Sequence, residues 1–293
     1  MACGWRDVAL EENIEKRIGE FAFHMRRHAL TMAYASGNHA VHFGAAMSIV
    51  DILAVLYAEV LRLDRQDPMW EDRDRFILSK GHGTVGYYAA LAEFGYIPLE
   101  ELKKFEQGSS CLMGHPVYTP EYGIEFTNGS LGMGLSLGIG TALSAKRKGK
   151  GYKTFVLIGD GESDEGAIWE GVMSAPHFQL DNLCVIVDRN RLQLGGDTEA
   201  IMAHGDLKEK FRVFGWNAFE VDGHNLRELY ELFNQIPRNR RPTAVIANTI
   251  KGKGFHFSEN NNAWHHAVMT GSQYEEALKE LEDGYYGNNR KEC

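Results

Sequence analysis

The stretch that decides the fold runs from Thr154 to Gly196 and reads TFVLIGDGESDEGAIWEGVMSAPHFQLDNLCVIVDRNRLQLGG. Its first apolar run, Thr154 to Ile158, is short enough for a buried strand and ends in the turn Gly159-Asp160-Gly161. A helix-length segment follows, and a second apolar run, Leu183 to Val187, leads to Asp188-Arg189-Asn190. Strand, glycine turn, helix and strand make a βαβ unit, and ligands bind such units at the carboxyl ends of the strands. We therefore expect a binding site where these two strands end.

The residue types at the two strand ends suit a divalent cation. Glycines on both sides of Asp160 let the backbone approach a ligand closely, and its carboxylate supplies an anionic oxygen. Asn190, thirty positions later, supplies a neutral one. Mg²⁺ prefers octahedral oxygen coordination, with one or two protein carboxylates and with phosphates and water in the other positions. Asp160, Asn190, a carbonyl near Leu192 and a diphosphate fit that preference. The alternative is that GDG is only a strand-to-helix turn.

Other segments rich in glycine and histidine occur in a defined order: Ser79-Lys80-Gly81-His82-Gly83, Gly114-His115-Pro116, Thr127-Asn128-Gly129-Ser130-Leu131-Gly132-Met133-Gly134 and Trp264-His265. A GDG turn with an Asn at this later spacing resembles the thiamine diphosphate signature. The order of all the segments, with Glu165-Gly166, resembles transketolase. The resemblance covers nearly the whole chain but only the amino-terminal half of a conventional transketolase. It implies the amino-terminal, diphosphate-binding subunit of a split transketolase.

Outside the central unit, the sequence predicts further alternating helices and strands. Apolar spacing and turn residues predict helices over Glu11–Ala35, Ser48–Leu61, Thr84–Phe94, Leu131–Lys148 and Asp206–Phe214, and one from Asn225. Short apolar runs predict strands over Phe76–Leu78, Ala218–Val221 and Thr243–Asn248. This alternation predicts an α/β fold with a mostly parallel sheet and helices on both faces. The resemblance implies the thiamine diphosphate-binding form of that fold, its pyrophosphate-binding domain.

Two long segments are predicted to lack regular structure. Gln107–Ser130 is rich in Gly, Ser, Pro and Tyr and is longer than the usual connection in a compact domain, which favours a functional loop. Ile250–His266 is too polar and glycine-rich for a regular element. The sequence has no internal repeat, low-complexity tract or linker, so we expect one domain over residues 1–293.

Composition excludes several classes of function. The 293 residues carry a net charge of −9, which offers no electrostatic attraction to nucleic acid or to an anionic membrane surface. The longest apolar stretch, Ile52 to Ala58, is far too short to span a bilayer, and the opening residues lack a signal-peptide core. We expect a cytoplasmic protein, without nucleic-acid or membrane partners. The four cysteines, Cys3, Cys111, Cys184 and Cys293, form no CxxC pair and are interpreted as reduced thiols.

The resemblance also assigns roles to individual residues. Transketolases contact the diphosphate with the histidines that match His82 and His265, and a substrate oxygen with the one that matches His115. Gly129 matches the glycine whose backbone faces the aminopyrimidine, and Leu131 the apolar residue against which the cofactor rings pack. Glu165 matches an acidic residue that reaches toward the partner's catalytic glutamate.

Several assignments stay open at this stage. His42 lies in Ala40-Val41-His42-Phe43-Gly44, where the family usually has Ser-Gly-His, so its substrate-facing role is expected while the local loop shape is in doubt. His266 competes with His265, which is preferred because it directly follows Trp264. The remaining candidates are interpreted as structural or solvent-exposed groups: His24, His28 and His39 as structural, and Glu162, Asp164 and Glu170 as less favoured acids, the first two as solvated or helix-start charges.

The activity implied by the resemblance is transfer of a two-carbon ketol unit from a ketose to an aldose, with thiamine diphosphate and Mg²⁺, or Ca²⁺ or Mn²⁺, as cofactors. The glutamate that activates the aminopyrimidine belongs to the carboxyl-terminal half of the family. We therefore expect a separate pyrimidine-binding subunit, with a heterotetramer of two unlike pairs by analogy, and sugar or sugar-phosphate substrates. The alternatives are the diphosphate-binding subunit of a 2-oxo acid dehydrogenase or carboligase, and a non-catalytic scaffold.

Overall fold

The computed structural model describes the backbone of residues 4–289 and the side chains of residues 13–285. Its main sheet has five parallel strands: β1 (Arg75–Leu78), β2 (Thr154–Gly159), β3 (Leu183–Arg189), β6 (Asn217–Asp222) and β7 (Thr243–Asn248). Their order across the sheet is β1-β2-β3-β7-β6. A short antiparallel hairpin, β4 (Leu192–Gln193) with β5 (Gly196–Asp197), follows β3. The predicted parallel α/β sheet is confirmed.

Ten helices surround the sheet in the described part of the chain: α1 (Gly4–Ala35), α2 (Phe43–Met47), α3 (Val50–Val55), α4 (Thr84–Phe94), α5 (Met133–Arg147), α6 (Gly166–His177), α7 (Thr198–Ile201), α8 (Leu207–Val213), α9 (Leu226–Asn234) and α10 (Gly271–Asn289). Short 3₁₀ turns and one π turn, Leu56–Val60, connect them. Helices α1 to α4, α9 and α10 contribute to the core on one face of the sheet. Helices α5, α6 and α8 cover the other.

Strand β2 shows why the sheet is buried on both faces. Phe155 and Leu157 pack into the core beneath α1 and α4, whereas Val156 and Ile158 pack against α5 and α6. Successive strand residues point to opposite faces, so a strand between two helical layers must be apolar throughout. This arrangement leaves the polar residues of β2 and β3 at the strand ends, where chain direction reverses.

The observed elements differ from the predicted ones mainly at their ends. The predicted helix Ser48–Leu61 is interrupted and extends further toward the amino terminus, as α2, α3 and the π turn. Helix α5 begins at Met133 rather than Leu131, because Gly132 has a φ of 84°, outside the helical region. Three elements were not predicted: the β4–β5 hairpin, α7 and α10.

Some predictions concern parts of the chain that the structure does not describe. Cys3 and Cys293 lie outside the described residues, while Cys111 and Cys184 are free thiols. The single-domain prediction for residues 1–293 includes these ends and stays a prediction. Within the described chain, no helix has both the length and the apolar character needed to cross a membrane.

Candidate functional site

A cavity of about 280 Å³ lies at the carboxyl ends of β1, β2 and β3. Eleven of the twelve site residues predicted from the sequence line it: His42, His82, His115, Gly129, Leu131, Gly159, Asp160, Gly161, Asn190, Leu192 and His265. Glu165 is the exception. The structure thus brings together residues that are separated by more than two hundred positions in the sequence, as a strand-end site requires.

The two strand ends are connected through Asp160. Strands β2 and β3 run parallel with Gly159 opposite Asp188, so the residues that follow each strand lie side by side. Asp160 accepts hydrogen bonds from the backbone N–H of Gly161 at 2.8 Å and of Arg191 at 2.6 Å. Arg191 adopts a φ of 62°, which turns the chain sharply after Asn190. This turn directs Asp160 and Asn190 into the same cavity.

The donor set at the strand ends fits a hard cation. Asp160 and Asn190 are buried, and each side-chain oxygen involved accepts only one or two of its possible hydrogen bonds. Among the described residues, no three His, Cys, Asp or Glu side chains converge on a common metal position. A magnesium site of one carboxylate, one amide oxygen, one carbonyl and phosphate oxygens needs no such group.

The third predicted ligand, the carbonyl of Leu192, lies in the β4–β5 hairpin. It accepts a hydrogen bond from Nζ of Lys251 at 3.2 Å. The same ammonium contacts Nδ1 of His265 at 2.8 Å and Oδ1 of Asn262 at 3.3 Å. A carbonyl oxygen has two lone pairs, so one acceptor position remains for a cation. Lys251 therefore brings a positive charge to the wall opposite Asp160.

Four rings, called here the cavity histidines, cluster on the substrate side: His42, His82, His115 and His265. The centre of the His42 ring lies 5.5 to 5.6 Å from the centres of the other three rings. An antiparallel bridge between Val41 and Ala267 holds the two loops together. Gly44 is needed beside it, because a Cβ there would lie 2.9 Å from the Trp264 carbonyl.

The competition between His265 and His266 has a clear geometric answer. His265 lines the cavity, whereas His266 is exposed and stacks on the outer side of His42 with 4.3 Å between ring centres. The remaining histidines that were assigned to structure lie elsewhere: His24 and His28 pair with Glu93, and His39 is exposed.

Burial keeps the cavity histidines neutral. Desolvation, followed by the neighbouring histidines and Lys251, lowers the pKa of His42 to about 3. Desolvation and Lys251 lower the pKa of His265 to about 4. Burial and Lys80 place the pKa of His82 well below its ordinary value, and burial also lowers that of His115. At neutral pH each ring can both donate and accept a hydrogen bond.

The acidic and ammonium groups of the cavity are shifted in the opposite sense to exposed ones. Burial and the nearby Asp188 carboxylate raise the pKa of Asp160 to about 6. Burial and Lys80 lower the pKa of Lys251 to about 8. Both shifts disfavour the charged form of a group that lacks an adequate counter-ion. A bound cation beside Asp160 and a bound anion beside Lys251 would relieve these costs together.

The interpretation of Glu162 as a solvated or helix-start charge is wrong. Its side chain is buried and accepts hydrogen bonds from the hydroxyl of Ser79 and from the backbone N–H of Gly132 and Gly159, the latter two at 2.8 and 3.0 Å. It therefore joins the ends of β1 and β2 to the turn before α5. The sequence did not reveal this role, because both partners on the β1 and α5 sides are distant in the chain.

The other acids near the GDG turn have different surroundings. Asp164 pairs with the buried His204 at 2.7 Å, so it is not a free surface charge. Glu165 is exposed at the start of α6 and lies outside the cavity lining, with its Cβ packed near Gly132. Glu170 is also exposed. The partner-facing role of Glu165 stays a prediction that this chain alone does not test.

Sequence reasoning missed three charged residues of the site. Lys80 and Lys251 line the cavity, and Asp188 lies directly below Asn190. Burial favours the neutral form of Asp188, but Lys80 and hydroxyl donors outweigh it and lower its pKa. The available signal was that Lys80 lies inside the Ser79–Gly83 segment and Asp188 at the tip of β3. Neither position shows in sequence whether the side chain points inward.

A parallel α/β sheet with carboxylates, two ammonium groups and four histidines at its strand ends defines a protein that binds an anionic, phosphate-bearing cofactor. A family model described as "Transketolase, thiamine diphosphate binding domain" matches residues 23–287. The chain belongs to the transketolase family.

Two curated relatives are similar along most of their length. A subunit of the apulose-4-phosphate transketolase from Actinobacillus succinogenes is 42% identical over 257 residues, covering 88% of this chain and 93% of that protein. A 6-deoxy-6-sulfo-D-fructose transketolase subunit from Clostridium sp. is 40% identical over 242 residues, covering 82% and 88%. The predicted amino-terminal subunit of a split transketolase, a ketol-transferring enzyme incomplete without a partner, is confirmed by these relatives.

Solved transketolases share the fold. The enzyme from Leishmania mexicana matches with a TM-score of 0.82 and 28% identity, over 90% of this chain and 41% of that one. The enzyme from Campylobacter jejuni matches with a TM-score of 0.80 and 26% identity, over 90% and 42%. The chain therefore spans less than half the length of the solved transketolases. The α/β thiamine diphosphate-binding fold is confirmed.

Proposed function

We propose that this chain holds the diphosphate end of thiamine diphosphate through a divalent cation, and that a separate subunit completes the active site for ketol transfer. The observation that carries this proposal is the convergence of Asp160 and Asn190, from adjacent strand ends, on one cavity that also contains Lys80 and Lys251. Mg²⁺ suits the oxygen donors, and Ca²⁺ or Mn²⁺ can use the same set.

Each wall of the cavity has a distinct task in this proposal. Asp160, Asn190 and the Leu192 carbonyl hold the cation. Lys251, with His82 and His265, supplies hydrogen-bond donors for the diphosphate oxygens, and charge-assisted bonds of this kind are the strong ones. Backbone at Gly129 and the side chain of Leu131 face the rest of the cofactor.

Thiamine diphosphate, when bound, supplies the chemistry of carbon–carbon bond cleavage and formation, including uptake of the electrons of the broken bond. The protein groups around it bind, orient and move protons. His42 and His115, neutral at pH 7, are placed to exchange protons with hydroxyl and carbonyl oxygens of the sugar. The glycine turns at Gly81 and Gly129 exclude side chains from the floor, since a Cβ on Gly81 would lie 3.0 Å from the Asn128 carbonyl.

The cavity also supports the need for a partner. Its volume of about 280 Å³ is at the lower limit of pockets that bury a whole drug-sized ligand. Apolar side chains are exposed at and beside its mouth: Leu131 is 36% exposed, Met133 49% and Leu194 72%. We propose that the pyrimidine-binding subunit covers this surface, approaches Glu165, and forms a heterotetramer of two unlike pairs by two-fold symmetry.

The substrates belong to the same proposal. Relatives are named for apulose-4-phosphate and 6-deoxy-6-sulfo-D-fructose, which are both ketoses with an anionic group. We propose a ketose or ketose phosphate donor and an aldose acceptor. A cytoplasmic location is also proposed, supported by the free thiols of Cys111 and Cys184.

The proposal is tested by reconstitution. The purified chain with thiamine diphosphate and Mg²⁺ should show no ketol transfer, and addition of the partner subunit should produce aldose-dependent transfer. Robust turnover without the partner would contradict the division of labour. Carbon dioxide release from a 2-oxo acid, with no ketol transfer, would favour the dehydrogenase or carboligase alternative. An assembled complex without bound cofactor would favour the scaffold.

A further inference from the structure

An ion pair lies beneath the proposed cation site. Lys80 and Asp188 are 1% and 0% exposed, and Nζ of Lys80 contacts Oδ2 of Asp188 directly. Nζ also donates to the Ala45 carbonyl at 2.9 Å. The carboxylate accepts further hydrogen bonds from the hydroxyl of Ser48, at 2.7 Å, and from that of Thr249. Asp188 is therefore held from four elements: the ends of β1, β3 and β7 and the end of α2.

The remaining partner of Asp188 is Asn190. Nδ2 of Asn190 donates to Oδ2 of Asp188 at 2.7 Å, and Oδ1 accepts from the N–H of Leu192 at 3.0 Å. The two ends of an amide have nearly the same shape, so shape alone does not choose which end faces the cavity. An ionised carboxylate only accepts hydrogen bonds, so it selects the NH₂ end and turns the oxygen away. That oxygen keeps one lone pair for a cation.

A purely structural role explains these contacts less well. A buried ion pair usually adds little stability compared with apolar side chains of the same volume, because desolvation offsets the attraction. Where such pairs are retained, fixing one conformation is their best physical gain. Here the conformation that is fixed belongs to a side chain lining the cavity.

We propose that Lys80 and Asp188 are positioning residues that hold the amide oxygen of Asn190 toward the divalent cation. This inference rests on the proposed function. Lys80 keeps Asp188 in place as a hydrogen-bond acceptor, Asp188 orients Asn190, and Asn190 contacts the cation.

The experiment uses the assembled complex of the full chain and its partner, and it measures binding of Mn²⁺ with thiamine diphosphate. Affinity comes from Mn²⁺ titration, and the number of water molecules on the bound ion comes from broadening of its EPR signal in ¹⁷O-water. The double variant Lys80→Met with Asp188→Asn keeps side-chain size and leaves no charge unpaired. We expect about 10- to 100-fold weaker Mn²⁺ binding and one more bound water.

A matched control comes from the opposite end of the sheet. Lys146 and Asp181 form the same type of pair at 3.5 Å, partly exposed and near the amino end of β3. Lys146→Met with Asp181→Asn should change neither the Mn²⁺ affinity nor the number of bound waters. A general effect of removing a Lys–Asp pair would appear in both double variants.

A double-mutant cycle with Asn190→Ala tests whether the pair acts through Asn190. In the Asn190→Ala background, the Lys80→Met and Asp188→Asn changes should weaken Mn²⁺ binding no further. The proposal is overturned if the folded double variant binds Mn²⁺ like wild type, or if its full effect persists without Asn190. Wild type that binds no Mn²⁺ with thiamine diphosphate would instead sink the proposed function.

A milder variant covers the case in which the double variant does not fold. Thr249→Val removes one hydroxyl donor to Asp188 and leaves the ion pair intact. We expect weaker Mn²⁺ binding, by a smaller factor, and no effect in the Asn190→Ala background. Unchanged affinity in folded Thr249→Val would then count against the proposal.

Discussion

Two groups of histidines in this chain have opposite surroundings. On α1, His24 and His28 hydrogen-bond to the two oxygens of Glu93 on α4, at 2.9 and 3.0 Å. In the described structure, no hydrogen bond joins a cavity histidine to a carboxylate, and the ammonium group of Lys251 contacts one of the rings. The first group has its counter-ion within the fold. The second has positive and neutral donors without one.

This difference separates stability from function. A histidine–carboxylate cluster on a helix surface satisfies its own hydrogen bonds and needs no ligand. A buried group of neutral imidazoles and ammonium ions is unfavourable on its own and becomes favourable when an anion enters. The cavity should therefore respond to cofactor, cation and pH, while the surface group should respond to neither of the first two.

The largest expected effect comes from the acid that distinguishes the cavity. Asp160→Ala removes the anionic oxygen from the proposed cation site, so Mg²⁺-dependent binding of thiamine diphosphate should fall more than about 100-fold, beyond the 10- to 100-fold typical of outer-shell changes. Calorimetry on the assembled complex measures it. Asp283→Ala, at an exposed position on α10, is the control and should bind normally. Equal affinities for the two variants would remove Asp160 from the site.

The next prediction concerns the cavity ammonium group. Lys251→Met should weaken thiamine diphosphate binding about tenfold to hundredfold, because it removes a hydrogen bond between charged groups worth about 1.5–3 kcal/mol. Lys253→Met is a close control, since Lys253 lies two residues away and pairs with Glu259 at 3.2 Å. The comparison between cavity and surface would break if both lysine variants lost affinity equally.

The pH dependence of stability should divide the two groups. His42 and His265, with pKa values of about 3 and about 4, stay neutral in the folded chain while the unfolded chain protonates them below pH 6.5. Protons then favour the unfolded state, so stability is lost as pH falls from about 6.5 toward 4. Asp160, with its pKa raised to about 6, opposes this loss, but it is one group against at least two. We expect the melting temperature of the cofactor-free chain to fall by about 5 °C between pH 7 and pH 5.

A variant sharpens that pH test. Replacing His42 and His265 by Phe should flatten the melting curve between pH 7 and pH 5, whereas His39→Gln, at an exposed position, should leave its slope unchanged. The surface group has a lower window. Hydrogen bonds from His28 and His24 outweigh burial and lower the pKa of Glu93, so its contribution is lost only below about pH 4.5. A wild-type melting temperature that is constant down to pH 5 would contradict the neutral cavity.

The sequence was sufficient for the cavity floor because a strand-end pattern is local. Asp160 and Asn190 each follow an apolar run directly, and parallel pairing of neighbouring strands places such positions side by side. No knowledge of distant contacts was required. The alternation of strands and helices likewise predicted the sheet and its two covered faces.

Residues whose role depends on distant contacts could not be assigned in this way. Glu162 and Glu165 are three positions apart at the start of the same segment, yet one is buried against Ser79 and Gly132 and the other is exposed. Lys251 and Lys253 present the same difficulty in the 250–266 loop. Only the packing of β1 and of the Val41–Ala267 bridge decides which side chain of each pair turns inward.

The smallest effect is expected at the surface histidines. His24→Gln with His28→Gln removes both partners of Glu93, and partly exposed pairs of this type are worth about 0–1 kcal/mol. Urea unfolding at pH 7 should therefore show at most about 1 kcal/mol of lost stability. Affinity for thiamine diphosphate with Mg²⁺ should be unchanged, since α1 and α4 contribute no ligand to the cavity at these positions. A weaker cofactor affinity in this double variant would mean that the surface group and the cavity are coupled through α4, whose first turn directly follows His82.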